Sequence, residues 1–377
     1  MGIFDFIIWS VNPEIFPNIE KIPVRWYGLL FAMAFIVGQQ ILYFIYRKEG
    51  RPEKDVDIFT LFILIATILG ARLGHVFFYE PAEYLKEPLN IFKIWEGGLA
   101  SHGAAIGIIL GVYLYCKYDI NLWPPKFKWK KQKRKNQDFF WVIDRLVILV
   151  ALGGCFIRLG NYFNSEIIGK PTDSQYGVVF AAPLKEAILE NKSVIDVKVS
   201  KAEPAVEMKE PMVAVDLQFI AGIEESQIQK YIDINLKYIL INYHEVQKHF
   251  VLTSMSKMEY EIDLSNKLTP AATIYLEAVP RHPTQLYEAG TSLLIFIILF
   301  LIWYKKQEKL PRGLLFALFL IILFGFRFVH EMFKENQVDF ENTMSLNMGQ
   351  ILSIPMILAG IVILLFLKKI QPKEKDN

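Results

Sequence analysis

In the run RLGNYFNSEIIG, Arg158 stands with Asn161 and Glu166, so a guanidinium, an amide and a carboxylate share one short stretch. A guanidinium grips a phosphate through paired N–H bonds, and an amide and a carboxylate nearby can orient it. Elsewhere His102 brings a titratable base with a reference pKa near 6.5, and Arg327 and Glu331 bring a second guanidinium and carboxylate. Donors, acceptors and a base of this kind suit the binding of an anionic phosphate and a proton transfer beside it.

These residues lie in or at the ends of long apolar runs. Of the 377 residues, 53% are hydrophobic, above the roughly 45–50% of soluble domains, and mean hydropathy is +0.29. Several runs reach about 20 residues, enough to cross about 30 Å of hydrocarbon. Seven spans are read at residues 26–46, 57–78, 99–118, 139–160, 285–304, 313–331 and 349–367. All are taken as helices, because in lipid only helices and closed barrels satisfy the backbone. The apolar start before Trp9 is short, contains Asp5 and lacks a basic leader, so it does not read as a cleavable signal peptide and the first span is expected to act as the insertion signal.

Lys and Arg total 41 against 39 Asp and Glu, and a net charge of +2 leaves no electrostatic footprint for a nucleic acid. The placement of the charges is more informative. Basic clusters follow span one (Arg47, Lys48, Arg51, Lys54), span three (Lys126 to Lys135), span five (Lys305, Lys306, Lys309, Arg312) and span seven (Lys368, Lys369, Lys373, Lys375). The alternate loops are poor in both residues, so the positive-inside rule predicts the N-terminus outside and the C-terminus inside. At 1.5 Å per residue, Arg72 then lies roughly 22 Å above the inner face, Arg327 roughly 21 Å, Glu331 roughly 27 Å and Arg158 roughly 28 Å. Tyr27, His102, Tyr287 and Glu288 enter from the outer side, so polar groups from six spans are expected at one level near the outer leaflet. Ionisable groups at such depth are costly to desolvate and usually functional.

The division expected is residues 1–183 with four spans and the signature run, 184–275 as an extracytoplasmic insertion, and 276–377 with three spans and a cytoplasmic tail. In the insertion, SVIDVKVS and MVAVDLQF alternate like half-buried strands and QIQKYIDINLKYILINY reads as an amphipathic helix, giving a small α+β unit. His244 and His249 are expected at its surface without a metal. Cys116 and Cys155 are expected to pack within spans. Asp144 is expected to pair locally with Arg145. Gly97 and Gly98 precede span three and suit a loop that admits a lipid head group, whereas Gly107 and Gly111 suit close helix packing.

The same residues resemble a known family, the bacterial prolipoprotein diacylglyceryl transferases. The run from Arg158 to Gly169 looks like that family's signature. RWYG at residues 25–28, GARLGHVFFY at 70–79, GGLASHGAAIG at 97–107, PRHPTQLYE at 280–288, GFRFVHEMF at 325–333 and NMGQILSIPM at 347–356 follow in the family's order. The resemblance implies an enzyme of the bacterial inner membrane with its site toward the outer leaflet. It would transfer the diacylglyceryl group of phosphatidylglycerol to a lipobox cysteine of preprolipoproteins, releasing glycerol phosphate, with no metal or cofactor. It further implies His102, Arg158 and Arg327 as catalytic residues. Tyr27, Arg72, Gly97, Gly98, Asn161, Glu166, Arg281, Tyr287 and Glu331 are implied around the substrate. Three departures from the pattern stand out: Ile157 replaces a glycine, Lys334 an arginine, and Leu323 with Phe324 a tyrosine. A phospholipid transporter or flippase, or another phospholipid head-group enzyme, are the competing classes. A transporter would spread polar groups along a path through the membrane, and no G-x-S-x-G or H-E-x-x-H motif favours a hydrolase.

Overall fold

The computed structural model describes residues 5–17, 24–93, 98, 100–121, 128–131, 134, 136–202, 211–252, 258–336, 341 and 343–371. Strand β1 (Ile7–Trp9) precedes the helices α1 (Trp26–Lys48), α2 (Lys54–Phe78), α3 (Pro81–Lys86) and α4 (Ser101–Lys117). A hairpin of β2 (Tyr118–Asn121) and β3 (Lys128–Lys131) leads to α5 (Phe139–Phe163). Then come β4 (Val178–Phe180), α6 (Ala182–Leu189), β5 (Val194–Lys201), β6 (Met212–Phe219), α7 (Glu225–Lys230), α8 (Lys237–Asn242) and α9 (His244–Gln247). Strands β7 (Phe250–Val251), β8 (Glu259–Asp263) and β9 (Ala271–Ala278) are followed by α10 (Thr284–Lys306), α11 (Leu314–His330), α12 (Met348–Leu365) and α13 (Leu367–Ile370).

Helices α1, α2, α5, α10 and α12 are long and apolar enough to cross a membrane, and α11 is apolar over 17 residues. Five to six such helices among the described residues make this a polytopic helical membrane protein. A 17-residue helix, α4, carries His102.

The chain divides into two compact units. One comprises Phe31–Phe156, Gly290–Phe328 and Met348–Asn377. Its interior is filled by Tyr46, Phe59, Tyr115, Ile148 and Trp303, all below 2% exposed. Within it α2 and α4 approach so closely that a Cβ added to Gly74 would stand 2.6 Å from the Gly103 Cα. One added to Gly111 would stand 2.7 Å from the Ala66 Cβ, and Gly107 faces Gly70 in the same way. Small residues four apart let two backbones meet, which is how helices gain packing where lipid offers no hydrophobic drive. Gly103→Leu is therefore expected to lower the thermal midpoint in detergent sharply, an overpacking cost of about 1–3 kcal/mol or more. Gly290→Ala, where an added Cβ meets nothing within 4 Å, should leave it unchanged. Equal midpoints for the two variants would refute the close-packing account.

Asp144 does not pair with Arg145 as expected. Its carboxylate accepts the backbone N–H of Gly313 at 2.7 Å and of Phe316 at 2.9 Å, capping the start of α11, where unpaired amides and the helix dipole favour an anion. Consecutive residues of a helix point in different directions, so Arg145 reaches Glu49 instead, its Nη2 lying 2.8 and 2.9 Å from the two carboxylate oxygens. The indole N–H groups of Trp141 and Trp303 complete that buried acceptor.

The other unit comprises Met1–Leu30, Ile157–Ala289 and Val329–Asn347. Its centre, the head, is built on an antiparallel sheet in the order β5-β6-β9-β7, with β8 also paired to β9. Alternation works as expected in β6, where Val213, Val215, Leu217 and Phe219 are buried, and β9, a strand not expected from the sequence, adds Ala272, Ile274, Leu276 and Ala278 to the same core. Strand β9 runs to Ala278, past the expected end of the insertion at residue 275. Cys155, in the helical unit, is buried and Cys116 partly so, both as free thiols.

His244 is exposed, but His249 is not the surface residue expected. It is 1% exposed, with its ring 5.3 Å from Phe180. Burial, aided by the nearby Arg281 and Lys248 charges, pushes its pKa down to about 3. An unfolded histidine protonates near 6.5, so between these values only the unfolded chain takes up the proton. The contribution of His249 is intact above about pH 6.5 and is lost progressively as pH falls toward 3. Acidification from pH 7 to 4.5 should lower the head's thermal midpoint, and His249→Phe should flatten that slope. An identical slope in the variant would refute this.

Candidate active site

The last turn of α5 and the turn after it place the signature run in the unit that contains the head. Arg158 Nε lies 2.6 Å from Glu288 Oε2 of α10, and its Nη1 donates to Asn161 Oδ1 at 3.3 Å. Asn161 in turn donates to Glu166 Oε2 at 3.1 Å, and Asn164 donates to Glu166 Oε1 at 3.2 Å. Glu166 sits between Ser165 and Ile167, whose φ angles are 57° and 55°. The left-handed region is unfavourable for a β-branched side chain, and such strain persists only where surrounding contacts over-determine it. Those contacts are visible: Gln285 donates to the Glu166 carbonyl at 2.6 Å and Thr284 to the Ile167 carbonyl at 3.0 Å.

Behind Arg158 the charges continue. Lys334 Nζ lies 2.7 Å from Glu288 Oε1 and 3.0 Å from Glu331 Oε1, and Asn347 donates to Glu331 Oε2 at 3.3 Å. The Arg158 side chain is 24% exposed, against 8% for Glu288, 4% for Lys334 and 11% for Glu331. Arg158 is thus the accessible end of a buried alternating chain of charges. Tyr27 belongs to the same group: a Cβ on Gly160 would stand 2.8 Å from its ring, and its phenol lies within electrostatic reach of Glu166 and Arg158.

Arg281 and Tyr287 share this unit but face other partners. Arg281 is buried, donating to the carbonyls of Lys248 at 2.6 Å and Gly169 at 3.1 Å and pairing with Glu335 at 3.1 Å. Tyr287 meets His282 Nδ1 at 3.2 Å, and burial holds that imidazole below its ordinary pKa.

In the helical unit, Arg72 is 3% exposed and gathers backbone carbonyls, those of Asn90 at 2.5 Å, Ile91 at 2.9 Å and Gly98 at 3.3 Å among them. Gly98 has φ +69°, and an added Cβ would stand 2.6 Å from His75 and 2.7 Å from Arg72, so only glycine fits. His102, in the first turn of α4, is exposed, and Arg327 of α11 lies within electrostatic reach of it. Gly97 lies outside the described residues. The structure therefore gathers Tyr27, Arg158, Asn161, Glu166 and Glu331 in one unit, and Arg72, Gly98, His102 and Arg327 in the other.

Two members of the Arg158 group were not selected as site residues from the sequence. Glu288 drew notice only for its depth and Lys334 only as a departure. Glu288 lies near the start of α10 and Lys334 follows the end of α11, and no short-range spacing in the sequence joins the two.

A family model described as prolipoprotein diacylglyceryl transferase matches residues 14–366. The chain is 33% identical to the phosphatidylglycerol--prolipoprotein diacylglyceryl transferase of Tolumonas auensis, over 96% of this chain and 98% of that protein. It is 30% identical to the protein of the same name from Chloroherpeton thalassium, over the whole of both chains. The Bacteroides fragilis protein of that name is 30% identical over 96% of each. With the match running through all the long helices and the signature run, the chain belongs to the prolipoprotein diacylglyceryl transferase family.

Proposed function

We propose that this bacterial membrane transferase moves the diacylglyceryl group of phosphatidylglycerol onto the sulfhydryl of a lipobox cysteine, the first step of lipoprotein maturation. The thiolate sulfur attacks the glycerol carbon that bears the phosphate. A carbon–sulfur bond forms, the carbon–oxygen bond breaks, and glycerol phosphate leaves with the electron pair. Such a step needs a base for the thiol proton and cations for the leaving phosphate.

The observation that carries the assignment is the held Arg158 guanidinium. Glu288 lies against its Nε as an ion pair and Asn161 accepts a hydrogen bond from its Nη1, restraining the fork before substrate arrives, and pre-organised donors are worth more than mobile ones. Arg327 is the second phosphate ligand. Tyr27, Asn161, Glu166 and Glu331 orient the arginines and the lipid. Arg72 of α2 holds the carbonyls of the loop that meets the head group, Gly98 among them, with Gly97 as a further contact of the lipid. Arg281 and Tyr287 serve the substrate from the unit of Arg158, Arg281 by holding the Lys248 and Gly169 carbonyls. His102 either takes the thiol proton or orients the head group. A pH–rate profile of His102→Gln separates the two, since only loss of a base removes the acid limb.

The charge pattern of the loops supports seven spans in the inner membrane, N-terminus outside and C-terminus inside. Residues 1–183 and the segment after β9 supply the spans, residues 184–278 belong to an extracytoplasmic head, and the site opens toward the outer leaflet. The test supplies phosphatidylglycerol vesicles and a lipobox peptide to the purified protein and seeks the thioether-linked product by mass spectrometry. No mass gain on the cysteine peptide, with folded protein, would overturn the reading.

A further inference from the structure

Phe6 and Trp9 precede the first long helix, yet both are built into the unit that holds the signature run. Phe6 is 3% exposed within the core of the head. The Lys201 ammonium of β5 lies 5.3 Å from its ring and pairs with Asp5 at 2.5 Å. Strand β1 then runs parallel to β4, with Ile7 opposite Val178 and Trp9 opposite Phe180. At the end of this strap the Trp9 ring lies 4.3 Å from Tyr162 and 5.5 Å from Phe163, and Phe163 also stacks on Trp26 at 5.0 Å. Tyr162 and Phe163 directly follow Asn161, the residue that links Arg158 to Glu166. The buried Trp9 indole N–H has no acceptor among the described residues. The ring, not the donor, is what this position uses.

We propose that Trp9 is a positioning residue: the strap ties the head to the last turn of α5 and so holds Asn161, and through it Arg158 and Glu166, in register. The proposal rests on Arg158 being a phosphate ligand, and small misplacements of such groups are costly in rate. Strand pairing and aromatic packing are the means by which a short segment fixes a helix end.

The experiment compares Trp9→Ala, Trp9→Phe and Asp5→Ala in the full-length protein, with phosphatidylglycerol vesicles and a lipobox peptide. Trp9→Ala should raise KM for the lipid about tenfold while KM for the peptide stays unchanged. Trp9→Phe should recover most of the loss, because it keeps a ring and removes an unpaired donor. Asp5→Ala, which breaks only an exposed ion pair, should match the wild type. Unchanged kinetics in Trp9→Ala overturn the proposal, as does a loss that Trp9→Phe leaves unrepaired or that moves both KM values alike. Should Trp9→Ala fail to fold, Trp9→Leu, apolar but without the ring, takes its place. Amide hydrogen exchange across residues 158–166 is read in parallel and should quicken in Trp9→Ala. Unchanged exchange sinks the positioning role, even if the wild type makes no thioether and the functional reading has fallen separately.

Discussion

Arg158→Ala should reduce thioether formation by about a hundredfold to a thousandfold or more, the scale seen when one pre-organised donor to a developing anion is lost. Folding should survive the change. Glu288, the partner left behind, still has Lys334 Nζ at 2.7 Å, so no buried carboxylate is stranded. Arg158→Lys should recover only part of the activity, because an ammonium supplies charge without the planar fork. Turnover with phosphatidylglycerol and a cysteine peptide, measured beside the thermal midpoint, distinguishes loss of chemistry from loss of fold. Wild-type turnover in Arg158→Ala would remove this arginine from the phosphate site.

Lys334→Met should act in the opposite order, through stability first. Its ammonium is 4% exposed and touches both Glu288 and Glu331, so removal leaves two carboxylates to share their remaining partners in a dry place. Breaking a buried ion pair by deleting one member typically costs about 3–5 kcal/mol, enough to lower the thermal midpoint by many degrees and to release Arg158 from a well-placed Glu288. Lys334→Arg should be tolerated, since a longer cation can still span the two carboxylates. A Lys334→Met protein as stable as the wild type would mean that the two carboxylates find other cations.

Much of the site was legible because it is local. Arg158, Asn161 and Glu166 lie within one helix end and its turn, so spacing alone put them together. The strands of the head were legible at β5 and β6 through alternation, while β9 (Ala271–Ala278) was not read as a strand, because it crosses the expected boundary at 275 and runs on into the segment leading to α10. The Glu288–Lys334 contact was not legible, since it joins the start of one helix to the residues after another and no short-range pattern encodes it. His249 looked like a polar loop residue, and only the packing of Phe180 onto its ring turned it inward. Asp144 misled for a simpler reason: neighbours in sequence diverge around a helix, so its real partners are amides of α11.

The two left-handed residues that flank Glu166 set a limit on how far this protein can be hardened. Backbone strain of this kind costs about 1–3 kcal/mol per residue, and glycine at Ile167 would return much of it at no steric expense. Selection for heat resistance would therefore gain at the very turn that aims a carboxylate at the signature arginine's amide partner. Stabilising changes elsewhere are ordinarily neutral, but here robustness and the aim of the Glu166 carboxylate compete for one residue.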